Sequence, residues 1–243
     1  VRRRDQIRDL ALAVAELLQD LARVLAEARR PPRRVGAIRR ELDRIAEDLI
    51  LRTGGFPSFK GYRVKGIGKP YPATMCISIN EEVVHGIPRK DRILHQGDIV
   101  GLDIGMWWPG EHQISEVFEE SKSISGKKNK NYERPLCTDM AITIGIGDIP
   151  PEAHRLIEAT KQSLDIGIAQ VKPGATVGDI GNAIERFLKK NNFGIVRDLA
   201  GHGVGYELHE EPLIPNYGTK GKGAELKEGM VIAIEPMATL GDW

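Results

Sequence analysis

A pair of helical patterns separated by a proline turn is the feature that most restricts the fold of this chain. Apolar residues at helical spacing run through residues 7–25, and the pattern stops at Pro31-Pro32. A second amphipathic pattern runs through residues 38–49 and ends where Thr53-Gly54-Gly55 interrupts it. The N-terminal part, residues 1–52, is therefore predicted to be helical.

The same arrangement recurs in the second half of the chain. Helical spacing extends over residues 156–168 and 180–187, on either side of a turn at Lys172-Pro173-Gly174. Because helix, proline turn and helix occur twice, the sequence predicts two related halves of mixed α and β structure.

Short β-rich runs accompany the helix pairs. They cover residues 75–79, 99–104, 140–146 and 231–234. Since these strands group beside the helices and do not alternate with them in βαβ order, an α+β architecture is favoured over a doubly wound sheet. We expect residues 1–243 to form a single domain.

One segment fits neither half. Residues 111–134 are charged, poor in large apolar side chains and include Gly126-Lys127-Lys128-Asn129-Lys130. Because such a composition does not supply a packed core, we expect a flexible insertion within a hairpin.

The composition excludes several classes of protein. With 41% hydrophobic and 28% charged residues the chain is typical of a globular domain, and it has no apolar run long enough to span a membrane. The basic start leads into an amphipathic segment and not into the apolar core of a signal peptide. Cys76 and Cys137 are far apart in sequence, so no disulfide framework is expected. We predict a cytoplasmic protein without membrane association.

Arginine is concentrated near the start of the sequence. Residues 1–40 hold eleven arginines against five acidic residues, although the net charge of the chain is +1. So small a net charge argues against a protein whose whole surface binds nucleic acid. The local excess fits a solvated helix face, and it also fits contact with an anionic surface such as ribosomal RNA.

Acidic side chains at the ends of apolar β-like runs are the strongest chemical signal. Asp103, Asp139 and Glu235 each border such a run, where an unpaired charge is costly to bury. Taken singly, each of them also fits a cap or a turn. His202 lies between two glycines, which let the backbone approach a ligand closely. Together the four residues match an oxygen-rich metal site with one imidazole.

The remaining histidines divide into two groups. His85 and His209 are compatible with either a structural or a chemical role. His95, His112 and His154 lie in polar or helical surroundings and are predicted to be exposed.

Five longer motifs extend this interpretation. In chain order they are Asn80-Glu81-Glu82-Val83-Val84-His85-Gly86-Ile87-Pro88, Gly97-Asp98-Ile99-Val100-Gly101-Leu102-Asp103, Gly201-His202-Gly203-Val204-Gly205, His209-Glu210-Glu211-Pro212, and the stretch from Gly229-Met230 through Ile234-Glu235-Pro236-Met237. The set resembles the successive motifs of type I methionine aminopeptidases, across roughly residues 40–240. Several long motifs in the right order are far more specific than one short pattern. The resemblance implies the pseudo-two-fold pita-bread fold.

The resemblance also implies a centre with two divalent metal ions. Asp103 would bind one ion and Asp139 would bridge both. His202 and Glu235 would complete the shell of the other. The residue types do not distinguish cobalt, manganese, iron, zinc and nickel.

Hydrolysis of the N-terminal methionyl bond of nascent polypeptides is the activity that follows from the resemblance. His209 would hydrogen-bond the scissile carbonyl, and His85 would lie near the amide nitrogen. Both histidines are therefore expected to contact the substrate and to be catalytic.

The resemblance places Tyr62, Tyr71 and Cys76 around the methionine side chain, where contacts between sulfur and aromatic rings are favourable. Leu208 occupies a position at which the family usually has an aromatic residue, so an altered pocket is expected.

Family members have a further metal-binding glutamate after the point at which this sequence ends. The resemblance therefore predicts a chain that is incomplete at its C-terminus and lacks the last strands of the fold. Such a chain would hold one ion tightly and have little activity, whereas the complete enzyme would be a monomer with two ions.

Two other functions fit parts of the sequence. A proline-specific peptidase of the same fold would share the metal ligands, but the motif that contains His85 argues against it. A non-catalytic module of this fold that binds RNA or protein has no need of the four predicted ligands.

Overall fold

A computed structural model describes most of the chain. The described residues are 38–63, 68–89, 91–108 and 135–243, together with Glu16 and Gln19. The predicted helix over residues 7–25, the turn at Pro31-Pro32, His112 and the predicted insertion at residues 111–134 lie outside them, apart from Glu16 and Gln19.

In the described residues, the first half of the fold has one helix packed against a four-stranded antiparallel sheet. Its elements are α1 (Ile38–Arg52), β1 (Phe56–Pro57), β2 (Met75–Ile79), β3 (Ile99–Trp108) and β4 (Leu136–Gly145). Strand β3 pairs with each of the other three strands. Since Trp108 faces Leu136, β3 and β4 form the two arms of the predicted hairpin.

The second half contains a helix pair and short strands. Its elements are α2 (Pro151–Ile168), α3 (Val177–Lys190), β5 (Gly194–Ile195), β6 (Ala200–Gly203), β7 (Glu210–Pro215), β8 (Ile232–Ala233) and β9 (Ala238–Thr239). Strand β6 pairs with both β7 and β8, and β5 pairs with β9. Helix α3 begins with a capping box in which Thr176 and Asp179 exchange hydrogen bonds with each other's backbone N–H.

Each half has its own apolar core. In the first, Leu42 and Ile50 of α1 are fully buried in one cluster with Ile77 and Leu102 of the sheet. In the second, the cluster contains the buried residues Leu156, Ala159, Ile180, Ile184, Leu188 and Ile214. Apolar spacing at 3.6 residues per turn therefore locates α1, α2 and α3 correctly, because one face of each helix is buried.

A third apolar cluster joins the two halves. Cys76 and Cys137 from the first sheet pack with Val204 and Leu208, which lie between β6 and β7. This contact brings one face of the first sheet against the strand that contains His202.

Some predicted strand limits were wrong. Strand β3 continues to Trp108 and β4 begins at Leu136, so Asp103 and Asp139 lie inside strands and not at their ends. Alternation predicts where a strand runs but gives weak evidence of its limits. Strands β1, β5, β6, β7 and β9 were not predicted, and most of them are too short to produce a periodic pattern.

Among the residues that the structure describes, no helix is both long and apolar enough to cross a lipid bilayer.

Candidate metal centre

Two carboxylates stand side by side on the first sheet. Asp103 is in β3 and faces Cys76 of β2, whereas Asp139 is in β4 and faces Gly105 of β3. Because side chains two residues apart along a strand point to the same face, Asp103 and Asp139 lie on one face of the sheet as diagonal neighbours.

The second half contributes an imidazole and a third carboxylate. His202 is in β6, opposite Ala233 of β8, and Glu235 follows two residues after Ala233. A side chain at Gly201 would place its Cβ 2.2 Å from the carbonyl oxygen of Ala233, so only glycine allows β6 and β8 to approach this closely.

The imidazole of His202 joins the two halves. Its Nε2 is 3.2 Å from Oε1 of Glu235 and 3.5 Å from Oδ2 of Asp139. Its other ring nitrogen, Nδ1, is 2.8 Å from the carbonyl oxygen of Gly203. A carbonyl can only accept, so Nδ1 donates its proton to this bond. In the neutral ring Nε2 then has a free lone pair, which is the arrangement of a metal-binding histidine.

Burial and the charges of neighbouring carboxylates raise the pKa of Asp103 and of Glu235. Burial raises the pKa of Asp103 well above its usual range, and the charges of Asp139 and Glu235 add to the effect. The pKa of Glu235 is raised to about 7, again by burial and then by Asp139. Burial by itself lowers the pKa of His202, but its contacts with Asp139, the Gly203 carbonyl and Glu235 outweigh burial and raise the pKa.

This donor set fits a divalent cation. Oε1 of Glu235 is buried and has no hydrogen-bond partner among the described residues. Three carboxylates and an imidazole therefore converge with a deficit of positive charge and hydrogen-bond donors, which a cation would compensate.

His209 lies beside this group. Asp139, His202 and His209 each offer a ligand atom, and these atoms lie within 4.8 Å of one another. The rings of His202 and His209 meet edge to face with 4.4 Å between centroids. Nδ1 of His209 is 2.7 Å from the hydroxyl of Tyr62, so its Nε2 remains available to a substrate or an ion. Burial and the neighbouring His202 lower the pKa of His209, which favours the neutral ring.

His85 is exposed and lies on the loop after β2, with a left-handed φ of 58°. It is near enough to His209 to contribute to the lowered pKa of that ring. The two predicted catalytic histidines therefore lie near each other. As predicted, His95 and His154 are exposed.

Comparison with known proteins places this arrangement in a family. The sequence pattern of metallopeptidase family M24 matches residues 5–114 and 131–243. The chain belongs to metallopeptidase family M24. It is 38% identical over 228 residues to the methionine aminopeptidase of Clostridium acetobutylicum, a match that covers 94% of this chain and 77% of the relative.

Solved structures give the same fold for this M24 chain. The crystal structure of methionine aminopeptidase from Thermotoga maritima superposes with a TM-score of 0.71 at 34% identity, covering 92% of this chain and 77% of that one. Prolidase from Pyrococcus furiosus superposes with a TM-score of 0.58 at 21% identity, covering 94% of this chain and 55% of that one. At this identity the similarity shows a shared fold and nothing more. The fold is the predicted mixed α and β pita-bread fold.

An apolar cluster lies next to the M24 centre. Tyr62, Tyr71 and Cys76 belong to the cluster that joins the halves, and Leu208 is in it too, with only 3% of its surface exposed. Sequence reasoning missed further members of this cluster, namely Phe59, Trp107, Cys137, Val204 and Val231. They come from separate segments of the chain, so no local pattern indicates that they meet.

Two polar residues beside the centre were also missed. Asn216 is fully buried and its Nδ2 donates to the backbone carbonyl of Glu235 at 2.6 Å. Ser78 is buried on β2 and its Oγ accepts from the N–H of Gly86, the residue after His85. Neither stands in a pattern that separates it from an ordinary buried polar residue.

Proposed function

We propose that this chain removes the N-terminal methionine from polypeptides in a reaction that depends on divalent metal ions. The observation that supports it most is the convergence of Asp103, Asp139, His202 and Glu235 from two halves of the fold onto one buried position. The names of the relatives supply the substrate, since they are methionine aminopeptidases.

The proposed ligands divide between two ions. Asp139 interacts with both Asp103 and His202, so it is suited to bridge two ions. Asp103 would then serve one ion, and His202 with Glu235 the other. Carboxylates with one imidazole suit cobalt, manganese, iron, nickel and zinc alike.

Bound divalent ions would supply a Lewis acid that lowers the pKa of water and offsets charge on the scissile carbonyl oxygen. The chain itself would orient the substrate. When Tyr62 donates to Nδ1 of His209, the ring holds its proton on Nε2, where it can donate to that oxygen as negative charge develops. The lowered pKa of His209 keeps the ring neutral.

The apolar cluster beside Cys76 would receive the methionine side chain. Tyr62 and Tyr71 border it, so aromatic rings would face the thioether sulfur. Leu208 is aliphatic where the family usually has an aromatic ring, and we propose that it leaves one side of the pocket less constrained.

The direct test is methionine release from the tripeptide Met-Ala-Ser by metal-loaded protein. Because the resemblance predicts little activity for this chain, we expect slow release of free methionine, no cleavage of the N-acetylated tripeptide, and loss of activity with a chelator. The dipeptide Ala-Pro tests the proline-specific alternative. Cleavage of Ala-Pro without release of methionine would contradict the proposal.

Two substitutions separate metal binding from hydrogen bonding to the substrate. Asp139→Asn should abolish both metal binding and turnover, whereas Asp148→Asn, an exposed carboxylate elsewhere, is the matched control. His209→Ala should lower kcat by about 100-fold with metal content nearly unchanged, because its proposed role is a hydrogen bond in the transition state. Equal loss of metal and turnover would instead make His209 a ligand.

We further propose that the chain works in the cytoplasm, where its substrates are nascent polypeptides. Both cysteines are buried and free, which suits a reducing compartment. The arginine-rich residues 1–40 would contact ribosomal RNA by charge, so co-sedimentation with ribosomes should fall as the salt concentration rises. Binding that does not depend on salt would count against this contact.

A further inference from the structure

The loop that contains His85 is held by its backbone. His85 is exposed, so packing of the imidazole does not fix its position. Its φ of 58° lies in the left-handed region, which a residue with a side chain adopts at a cost. Such a conformation persists only where surrounding contacts determine it.

Those contacts converge on the next residue, Gly86. Its N–H donates to Oγ of Ser78 at 3.1 Å, and its carbonyl accepts from the N–H of Ile77 at 2.7 Å and from the hydroxyl of Tyr71 at 3.1 Å. A Cβ at Gly86 would lie 2.3 Å from the carbonyl oxygen of Ile77. The Gly86 backbone therefore rests directly on β2.

Strand β2 also pairs with the strand that contains the proposed metal ligand Asp103. Cys76 of β2 pairs with Asp103 of β3, and two residues further along β2, Ser78 pairs with Gly101. Because Ser78 and Cys76 are on one rigid strand within a sheet, the position of His85 is tied to that of Asp103.

From this arrangement we propose that Ser78 and Tyr71 are positioning residues that hold His85 at a fixed place relative to the metal ligands. The inference rests on the proposed function in one respect, namely that His85 contacts the substrate. Ser78 is only 5% exposed and acts through the Gly86 N–H, which would be left without its acceptor if the hydroxyl were removed.

Tyr71 has two functions in this proposal. Its ring packs in the apolar cluster that joins the two halves, while its hydroxyl donates towards the carbonyls of Met75 and Gly86. Since Ile77 also donates to the Gly86 carbonyl, loss of the Tyr71 hydroxyl should matter less than loss of the Ser78 hydroxyl.

The test is a double-mutant cycle between Ser78→Ala and His85→Ala in the metal-loaded full chain. We expect Ser78→Ala to lower kcat for methionine release about tenfold with KM nearly unchanged, because a small misplacement of a positioned group has a large effect on rate. In the His85→Ala background, Ser78→Ala should lower kcat less than about twofold, since the two changes act as one unit.

Matched variants distinguish loss of the Ser78 hydroxyl from a general structural effect of the substitution. Ser78→Thr keeps the hydroxyl and should restore kcat, whereas Ser163→Ala removes another buried serine hydroxyl, in α2, and should leave kcat unchanged. A tenfold loss from Ser78→Ala that persists in the His85→Ala background would overturn the proposal.

Hydrogen exchange gives a readout that does not need activity. Ser78→Ala should speed exchange of the Gly86 amide by about tenfold or more, with little change at amides of β3. Unchanged exchange at Gly86 would overturn the proposed anchor. Absence of methionine release from the unsubstituted chain would instead overturn the proposed function, and the exchange result would still decide whether Ser78 holds the loop.

Discussion

The raised pKa of Glu235 predicts an unusual dependence of stability on pH in the metal-free protein. In the unfolded chain the carboxyl has its usual pKa of 4.5, whereas in the folded chain the pKa is about 7. The folded state therefore binds the proton more tightly. Stability from this group is fully present below pH 4.5 and is lost as the pH rises through about 7.

The magnitude follows from the pKa difference and the exposure of the side chain. A difference of about 2.5 pH units, from 4.5 to about 7, corresponds to about 3 kcal/mol. The Glu235 side chain is 35% exposed, so solvent screening reduces this to about 1.5 kcal/mol. Most of this loss should fall between pH 5 and pH 8.

The variant Glu235→Gln keeps the shape of the side chain and removes its titration, so comparison with the unsubstituted chain cancels the groups that do not interact with Glu235. This matters because the lowered pKa of His209 acts in the opposite direction over the same pH range. Urea denaturation of chelator-treated protein at pH 5, 6, 7 and 8 measures the free energy of unfolding. Relative to the unsubstituted chain, Glu235→Gln should gain about 1 kcal/mol between pH 5 and pH 8.

The matched control is Glu228→Gln, in which the replaced side chain is exposed. Its stability should follow that of the unsubstituted chain at every pH. A constant difference between Glu235→Gln and the unsubstituted chain from pH 5 to pH 8 would refute the claim that like charge and partial burial raise the pKa of Glu235.

Three further outcomes are expected. Gly201→Ala should destabilise the protein by about 3 kcal/mol or more and weaken metal binding, because the added Cβ would clash with the carbonyl of Ala233. The control Gly68→Ala adds its Cβ in open space and should leave stability unchanged, and thermal melts compare the two variants. Asn216→Ala should lower the free energy of unfolding by about 1–3 kcal/mol, because it removes the donor to the backbone carbonyl of Glu235. It should also lower the metal affinity measured by calorimetry, and unchanged affinity would refute a role of Asn216 in positioning Glu235. Adding manganese to chelator-treated protein should raise the melting temperature more at pH 8 than at pH 5.5, because the ion competes with protons for the ligand side chains. An equal rise at the two pH values would contradict this.

The sequence predicted the helices because each buries one face. The apolar spacing in residues 38–49 and 156–168 corresponds to α1 and α2, and their limits are marked by glycine or proline. The candidate ligands stood out for a different physical reason. A charge at the end of an apolar run needs compensation if it is buried, and this indicated Asp103 and Glu235 as candidate ligands before any geometry was known.

The remaining features depend on contacts between distant segments. Nothing near Ser78 in the sequence shows that its hydroxyl meets the N–H of Gly86, since this contact depends on how the loop folds back onto β2. The hydrogen bond from Tyr62 to His209 spans 147 positions of the chain. Short strands such as β8 are fixed by their partners and not by their own periodicity, so a local pattern does not give their limits.

The central claim is that one buried position, formed by both halves of the chain, holds the divalent metal on which the proposed activity depends. The measurement that tests it most directly is anomalous X-ray diffraction from crystals of the chain soaked in manganese. We expect a strong anomalous peak at about 2.0–2.3 Å from the ligand atoms of Asp139, His202 and Glu235. The account would be contradicted by a peak elsewhere on the chain, or by none at this position at a manganese concentration that supports turnover.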